Sequence, residues 1–188
     1  MKELIEKRIE EHLRALGNSR HLNQKIEQVA KALSKALSKG KKILICGNGG
    51  SAADAQHLSA ELLGKFEKIR RPFAAIALTT DTSIITAWSN DDSFDNIFAR
   101  QVHGLGAKGD FLIAFSTSGN SPNIIKAVNQ AKKMGLATVS FLGKGGGKMR
   151  GMCDFELVVN HKVTAHIQEV HQIYYHILCA LLDREVLN

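Results

Sequence analysis

Five short apolar runs, set between stretches of helical periodicity, constrain the fold of this chain more than any other feature. The runs are Ile43–Cys46, Phe73–Leu78, Phe111–Phe115, Ala137–Leu142 and Phe155–Val159. Runs this short and continuous suit strands buried on both faces. A helix follows the first run to about Lys65. Others are expected at 83–88, at about 95–105, at 122–134 and at about 165–185. In 122–134, Ile124, Ile125, Val128 and Ala131 form the inward face. Such alternation predicts an α/β sandwich around a five-stranded parallel sheet, with right-handed crossovers. Ligands then belong at the carboxyl ends of the strands, near the switch in strand order.

Two helices precede the first strand. Leu4, Ile5, Ile9, Leu13 and Leu16 recur at helical spacing, and Gly17 is the expected C-terminal cap. Ile26, Val29, Ala30, Leu33 and Leu37 form the face of the second helix, which Gly40 ends. The stripes either pack on their own domain or cover a neighbouring subunit, and partial use in oligomer contacts is the expectation. At 188 residues the chain is read as one domain, a helical pair over 1–40 and a sandwich over 41–188.

No apolar run approaches the roughly 18 residues of a membrane span, and the N-terminus lacks the apolar core of a signal peptide. The three cysteines, Cys46, Cys153 and Cys179, show no Cys-x-x-Cys spacing. That argues against a disulfide framework and against a cysteine zinc site. A cytoplasmic location follows as the expectation, with no membrane partner. The net charge of +7 reads first as solvated Lys and Arg scattered among the helices. It also suits anionic substrates. Nucleic acid is not an expected partner, since no binding motif is present and aromatics reach only 6%.

Two glycine-bearing turns carry the chemistry. The first, Gly47-Asn48-Gly49-Gly50-Ser51, ends a strand and opens a helix whose amides face the turn. It matches G-x-G-x-x-A, but a dinucleotide site needs an acid about 20 residues on. The nearest acid at the end of the next strand is Asp81, 32 residues after Gly49. A phosphate-binding loop of the G-x-x-x-x-G-K-[ST] type is absent. In the second turn, Ser116, Thr117, Ser118 and Ser121 surround Gly119 and Asn120 where another helix begins. Helix-start amides favour an anion, and Pro122 suits the first helical turn. Capping alone would use one hydroxyl, so four favour a phosphate.

His57 and Glu61, at i and i+4, share one helix face. On the last helix Gln168, Gln172 and His176 form a polar stripe. That stripe either faces solvent or meets His57 and Glu61 across helices or across a subunit boundary, and spacing does not choose. Trp88 to Ser93 reads as a polar loop. It could hold sugar hydroxyls or cap a helix through Asp91, Asp92 or Ser93.

Cys46 to His57, Asn90-Asp91, Ser116 to Ser121, Gly143 to Gly147 and Ile167-Gln168-Glu169 together resemble the sugar isomerase (SIS) family. Within it they are most similar to the phosphoheptose isomerases, over nearly the whole chain and in order. The resemblance implies a three-layer α/β/α flavodoxin-like fold, a homotetramer and active sites at subunit interfaces. It implies one zinc per subunit on His57, Glu61, Gln168 and His176, with Glu61 and His176 catalytic. It places the substrate phosphate on Ser116, Thr117, Ser118 and Ser121. The sugar falls to Asn48, Gly49, Gly50, Ser51, Glu61, Asn90, Asp91 and Gln168. The implied reaction converts sedoheptulose 7-phosphate to D-glycero-D-manno-heptose 7-phosphate for lipopolysaccharide or surface-glycan heptose. The alternative is a non-catalytic SIS tetramer that binds a partner protein such as the replication initiator DnaA. Such relatives lack the catalytic acid and the last histidine. Two positions depart from the family pattern. Thr164-Ala165-His166 lacks the acid some members carry before Ile-Gln, and Asp92-Ser93 replaces an aromatic and a glycine.

Overall fold

A computed structural model describes residues 1–185. In chain order the elements are α1 (Lys2–Gly17), α2 (Asn23–Leu37), β1 (Ile43–Cys46), α3 (Gly50–Leu63), β2 (Ala75–Ala77), α4 (Thr82–Asp91), α5 (Ile97–Leu105), β3 (Phe111–Ser116), α6 (Pro122–Lys133), β4 (Ala137–Gly143), β5 (Phe155–Val159) and α7 (Thr164–Glu185). The five strands are all parallel, in the order β2-β1-β3-β4-β5. This is the flavodoxin-like order, with its switch point between β1 and β3.

Side chains alternate across the sheet and divide the core in two. Ile43, Ile45, Ile113, Phe115, Phe141 and Leu157 face α2, α3 and α7. Leu44, Cys46, Leu112, Ala114 and Leu142 face α5 and α6. The result is the expected three-layer sandwich. Among the described residues no helix is long and apolar enough to cross a membrane.

The two leading helices differ in how they use their stripes. Ile26, Val29, Ala30, Leu33 and Leu37 of α2 are buried within the chain. Ala15 is the buried residue of α1, whereas Leu4, Ile5, Ile9 and Leu13 stay more than half exposed. Only α1 therefore has an apolar face left over.

Four local expectations are corrected. Gly17 is not a left-handed cap, because it lies inside α1 and Asn18 ends the helix with its amide on the Arg14 carbonyl. The second strand shortens to Ala75–Ala77, because the Phe73 amide bonds the Leu62 carbonyl at 3.0 Å. The supposed loop at 88–93 is helical through Asp91. Asp81 caps the start of α4 through the Ser83 and Ile84 amides, and Ser93 caps the following short turn. The composition of Gly143 to Lys148 reads as the chain's flexible stretch, but the segment forms a tight turn over Lys144–Met149, with positive φ at Lys144, Gly145, Gly146 and Gly147.

Candidate active site

The sheet order brings the two glycine-bearing turns together, because β1 and β3 are neighbours at the switch point. Gly49 adopts φ +55 at the start of α3. A Cβ on Gly47 would run into the Ser51 carbonyl, and one on Gly50 would run into the Gln168 amide. The first turn is therefore pressed between its own helix and α7. Ser51 is buried beneath it. Asn48 points at the other turn. Its Nδ2 donates to Asn123 Oδ1 at 2.9 Å, and Asn123 Nδ2 returns a bond to Asn48 Oδ1 at 2.8 Å. Asn123 is buried in the first turn of α6.

The second turn keeps hydroxyls in reserve. Ser121 occupies the cap position of α6, yet its side chain makes no capping bond. Its Oγ lies 3.4 Å from Ser116 Oγ. Ser116 Oγ accepts from the Gly119 amide and Ser118 Oγ from the Asn120 amide, both at 3.1 Å. Thr117 and Ser118 are half-buried. The turn is gripped from behind by Lys144–Met149. The Met149 amide bonds the Gly119 carbonyl and the Lys148 amide bonds Asn120 Oδ1, both at 3.0 Å. Gly119 has φ +63, and a Cβ there would collide with the Gly146 carbonyl. Gly145, Gly146 and Gly147 all take positive φ, which residues with a Cβ resist. Here glycine gives close approach rather than looseness.

Between α3 and α7 lies a compact polar cluster. His57 Nε2 lies 3.1 Å from Glu61 Oε1 and 3.5 Å from His176 Nε2. The donor atoms of the three residues all lie within 4.8 Å of one another. The fully buried Tyr175 fixes the His57 ring, its hydroxyl 2.9 Å from Nδ1. Phe66 stacks on His176 with ring centroids 5.6 Å apart. Burial, and then the neighbouring His57, lower the His176 imidazole from its ordinary value, while Glu61 works the other way. Burial keeps the Tyr175 phenol protonated far into alkali.

The end of α3 is fixed by a buried ion pair. Arg70 Nε donates to Asp183 Oδ1 at 2.6 Å, and Arg70 Nη2 donates to the Glu61 carbonyl at 2.9 Å. Burial opposes ionisation of Asp183, but Arg70 and the Lys68 and Glu67 amides outweigh it and hold the carboxyl below its ordinary value.

Three expected site members stand apart in the single chain. Gln168 packs its amide on Gly50. It is eight residues before His176, which at 1.5 Å per residue is about 12 Å along the helix. Asn90 and Asp91 are exposed at the end of α4, and Asn90 Nδ2 donates to Asp91 Oδ1 at 2.9 Å.

The SIS domain model matches residues 8–143. "Phosphoheptose isomerase 1" of Campylobacter jejuni is 49% identical over 180 residues, which are 96% of this chain and 97% of that one. The chain belongs to the phosphoheptose isomerase family. The phosphoheptose isomerase of Nitratidesulfovibrio vulgaris is 55% identical over 85% of this chain and 76% of its own. The solved structure of the family member from Neisseria gonorrhoeae superposes with a TM-score of 0.92 at 42% identity. It covers 97% of this chain and 98% of that one.

The sequence reading gave no role to three residues that the structure places at this candidate site. Asn123 holds Asn48, Tyr175 holds His57, and Asp54 lies one helical turn before His57. Burial pushes the Asp54 carboxyl up to about 6 against the pull of His57, and its Oδ2 has no hydrogen-bond partner among the described residues. An acid on the same face as His57, at i and i+3, was the available signal for Asp54.

Proposed function

We propose that the protein interconverts sedoheptulose 7-phosphate and D-glycero-D-manno-heptose 7-phosphate, the entry step to activated heptose for lipopolysaccharide or a surface glycan. Membership of the phosphoheptose isomerase family supports this reading. The observation that carries it is the clustering of Glu61, His57 and His176 between α3 and α7. The phosphate takes Ser116, Thr117, Ser118 and Ser121 with the first amides of α6. The sugar end lies on Asn48, Gly49, Gly50 and Ser51, with Gln168 beside Gly50.

Ketose–aldose exchange moves a proton between C1 and C2 through an enediol. Glu61 is the base for that proton, and His176 serves the oxygens or opens the ring. Two imidazoles and a carboxylate with close donor atoms form a donor set suited to zinc. The Tyr175 hydroxyl behind His57 Nδ1 is the outer partner that such a ligand needs. His57, Glu61 and His176 would hold one zinc per subunit, which when bound supplies polarisation of the carbonyl and charge stabilisation. Gln168, the fourth expected ligand, joins them only from another subunit or by leaving Gly50. The exposed α1 stripe and the exposed Asn90-Asp91 pair support a homotetramer with sites completed between subunits. The location proposed is the cytoplasm.

Incubation of the pure protein with sedoheptulose 7-phosphate, followed by NMR of the products, tests the reaction. Glu61→Gln and His176→Gln should each abolish aldose formation and leave the assembly intact. No conversion by the well-folded wild type, with or without a chelator, would sink the isomerase reading. Full activity after rigorous metal removal would sink the zinc role alone. The partner-binding alternative gains no support from relatives that are named as isomerases.

A further inference from the structure

A second cluster of imidazoles and carboxylates joins α1 to the start of α7. His12 Nδ1 and His166 Nδ1 each lie 2.8 Å from Glu169 Oε2. The three donor atoms lie within 4.8 Å of one another. His166 is buried, and its other nitrogen, Nε2, lies 3.4 Å from Glu11 Oε2. The ring thus has a carboxylate at each nitrogen. A neutral imidazole has one N–H and satisfies one of the two. A cation at Nδ1, with the proton on Nε2, satisfies both, as does a protonated ring.

We propose that His12, His166 and Glu169 form a second site for a divalent transition-metal ion, with Glu11 as the outer carboxylate behind His166. Two imidazoles and one carboxylate suit zinc and its neighbours in the series. A carboxylate on the far nitrogen of a ligating histidine fixes its tautomer and orientation. Zinc bonds of about 2.0–2.2 Å in tetrahedral geometry set donor atoms roughly 3.4 Å apart, so the histidines need part from Glu169 by only about half an ångström. A cavity of 630 Å³ lined by Arg8, Ile9, Val163 and Ala165 opens beside the cluster, leaving room for water in the fourth position. Gln168 is turned away onto Gly50, so this site is separate from the one on α3. The ion would staple α1, whose buried residue is Ala15 alone, to the helix that carries Gln168 and His176.

The test counts zinc per chain in the full-length protein, by elemental analysis after equilibration with micromolar zinc and by calorimetric titration of stripped protein. His12→Asn should lose one ion per chain relative to wild type. The loss is read against the wild-type number, so it stands whether or not the His57 cluster also binds zinc. Cobalt substitution gives a second readout, in which the visible bands of one site should vanish in His12→Asn and persist in His57→Asn. Glu169→Gln repeats the count if His12→Asn misfolds. Variants that keep the full wild-type complement overturn the proposal and leave a protonated, hydrogen-bonded histidine pair.

Discussion

At the scale of single residues, the candidate site is held from behind by buried groups. Tyr175 is completely buried and its hydroxyl meets His57 Nδ1. Tyr175→Phe keeps the ring packing and removes only that bond. The expected result is a fall in kcat of about 10–100-fold, the usual cost of removing an outer partner of an active-site histidine, with a nearly unchanged melting temperature. Steady-state kinetics and a thermal melt on the same preparation check both halves. A change confined to stability would mean that Tyr175 is a core residue and nothing more.

At the scale of elements, the tight turn after β4 works as a backstop for the second glycine turn. Gly119→Ala places a Cβ against the Gly146 carbonyl at a positive φ. It should cost about 1–3 kcal/mol from backbone strain and raise KM for the phosphosugar by separating the hydroxyls. Urea unfolding and a KM measurement would show it. This turn also marks where reading the chain reached its limit. Strand and helix positions were legible because periodicity is a local property, and Ile43–Cys46 needed no partner to be recognised. The pairing of Asn48 with Asn123 spans 75 residues, and that of His57 with Tyr175 spans 118, so neither leaves a mark in spacing. Glycines at 145–147 looked like freedom because a sequence does not show what approaches them. The polar stripe of α7 is split in space, since Gln168 packs on Gly50 and His176 on His57.

At the scale of the molecule, α1 exposes Leu4, Ile5, Ile9 and Leu13 in one stripe. If that stripe is a subunit seam, Ile5→Glu combined with Leu13→Glu should shift the light-scattering mass to a smaller species without loss of helicity. An unchanged mass would remove α1 from the assembly. Global stability should also depend on His171, which is fully buried among Phe115 and Phe141 with Nε2 bonded to the Leu142 carbonyl. Burial lowers this imidazole to about 4. Below its ordinary value the unfolded chain takes up a proton that the folded chain refuses. Stability is therefore full above about pH 6.5 and falls toward pH 4, by about 2 kcal/mol between pH 7 and pH 5. His171→Leu should flatten that slope in urea titrations at the two pH values. The paired amides of Asn48 and Asn123 bear on a slower process. Asn48 precedes Gly49, the dipeptide in which the following backbone nitrogen most readily attacks the side-chain carbonyl and releases ammonia. Held by two hydrogen bonds, the Asn48 amide cannot swing into that attack. The bond pair that joins the two turns should therefore slow deamidation at Asn48.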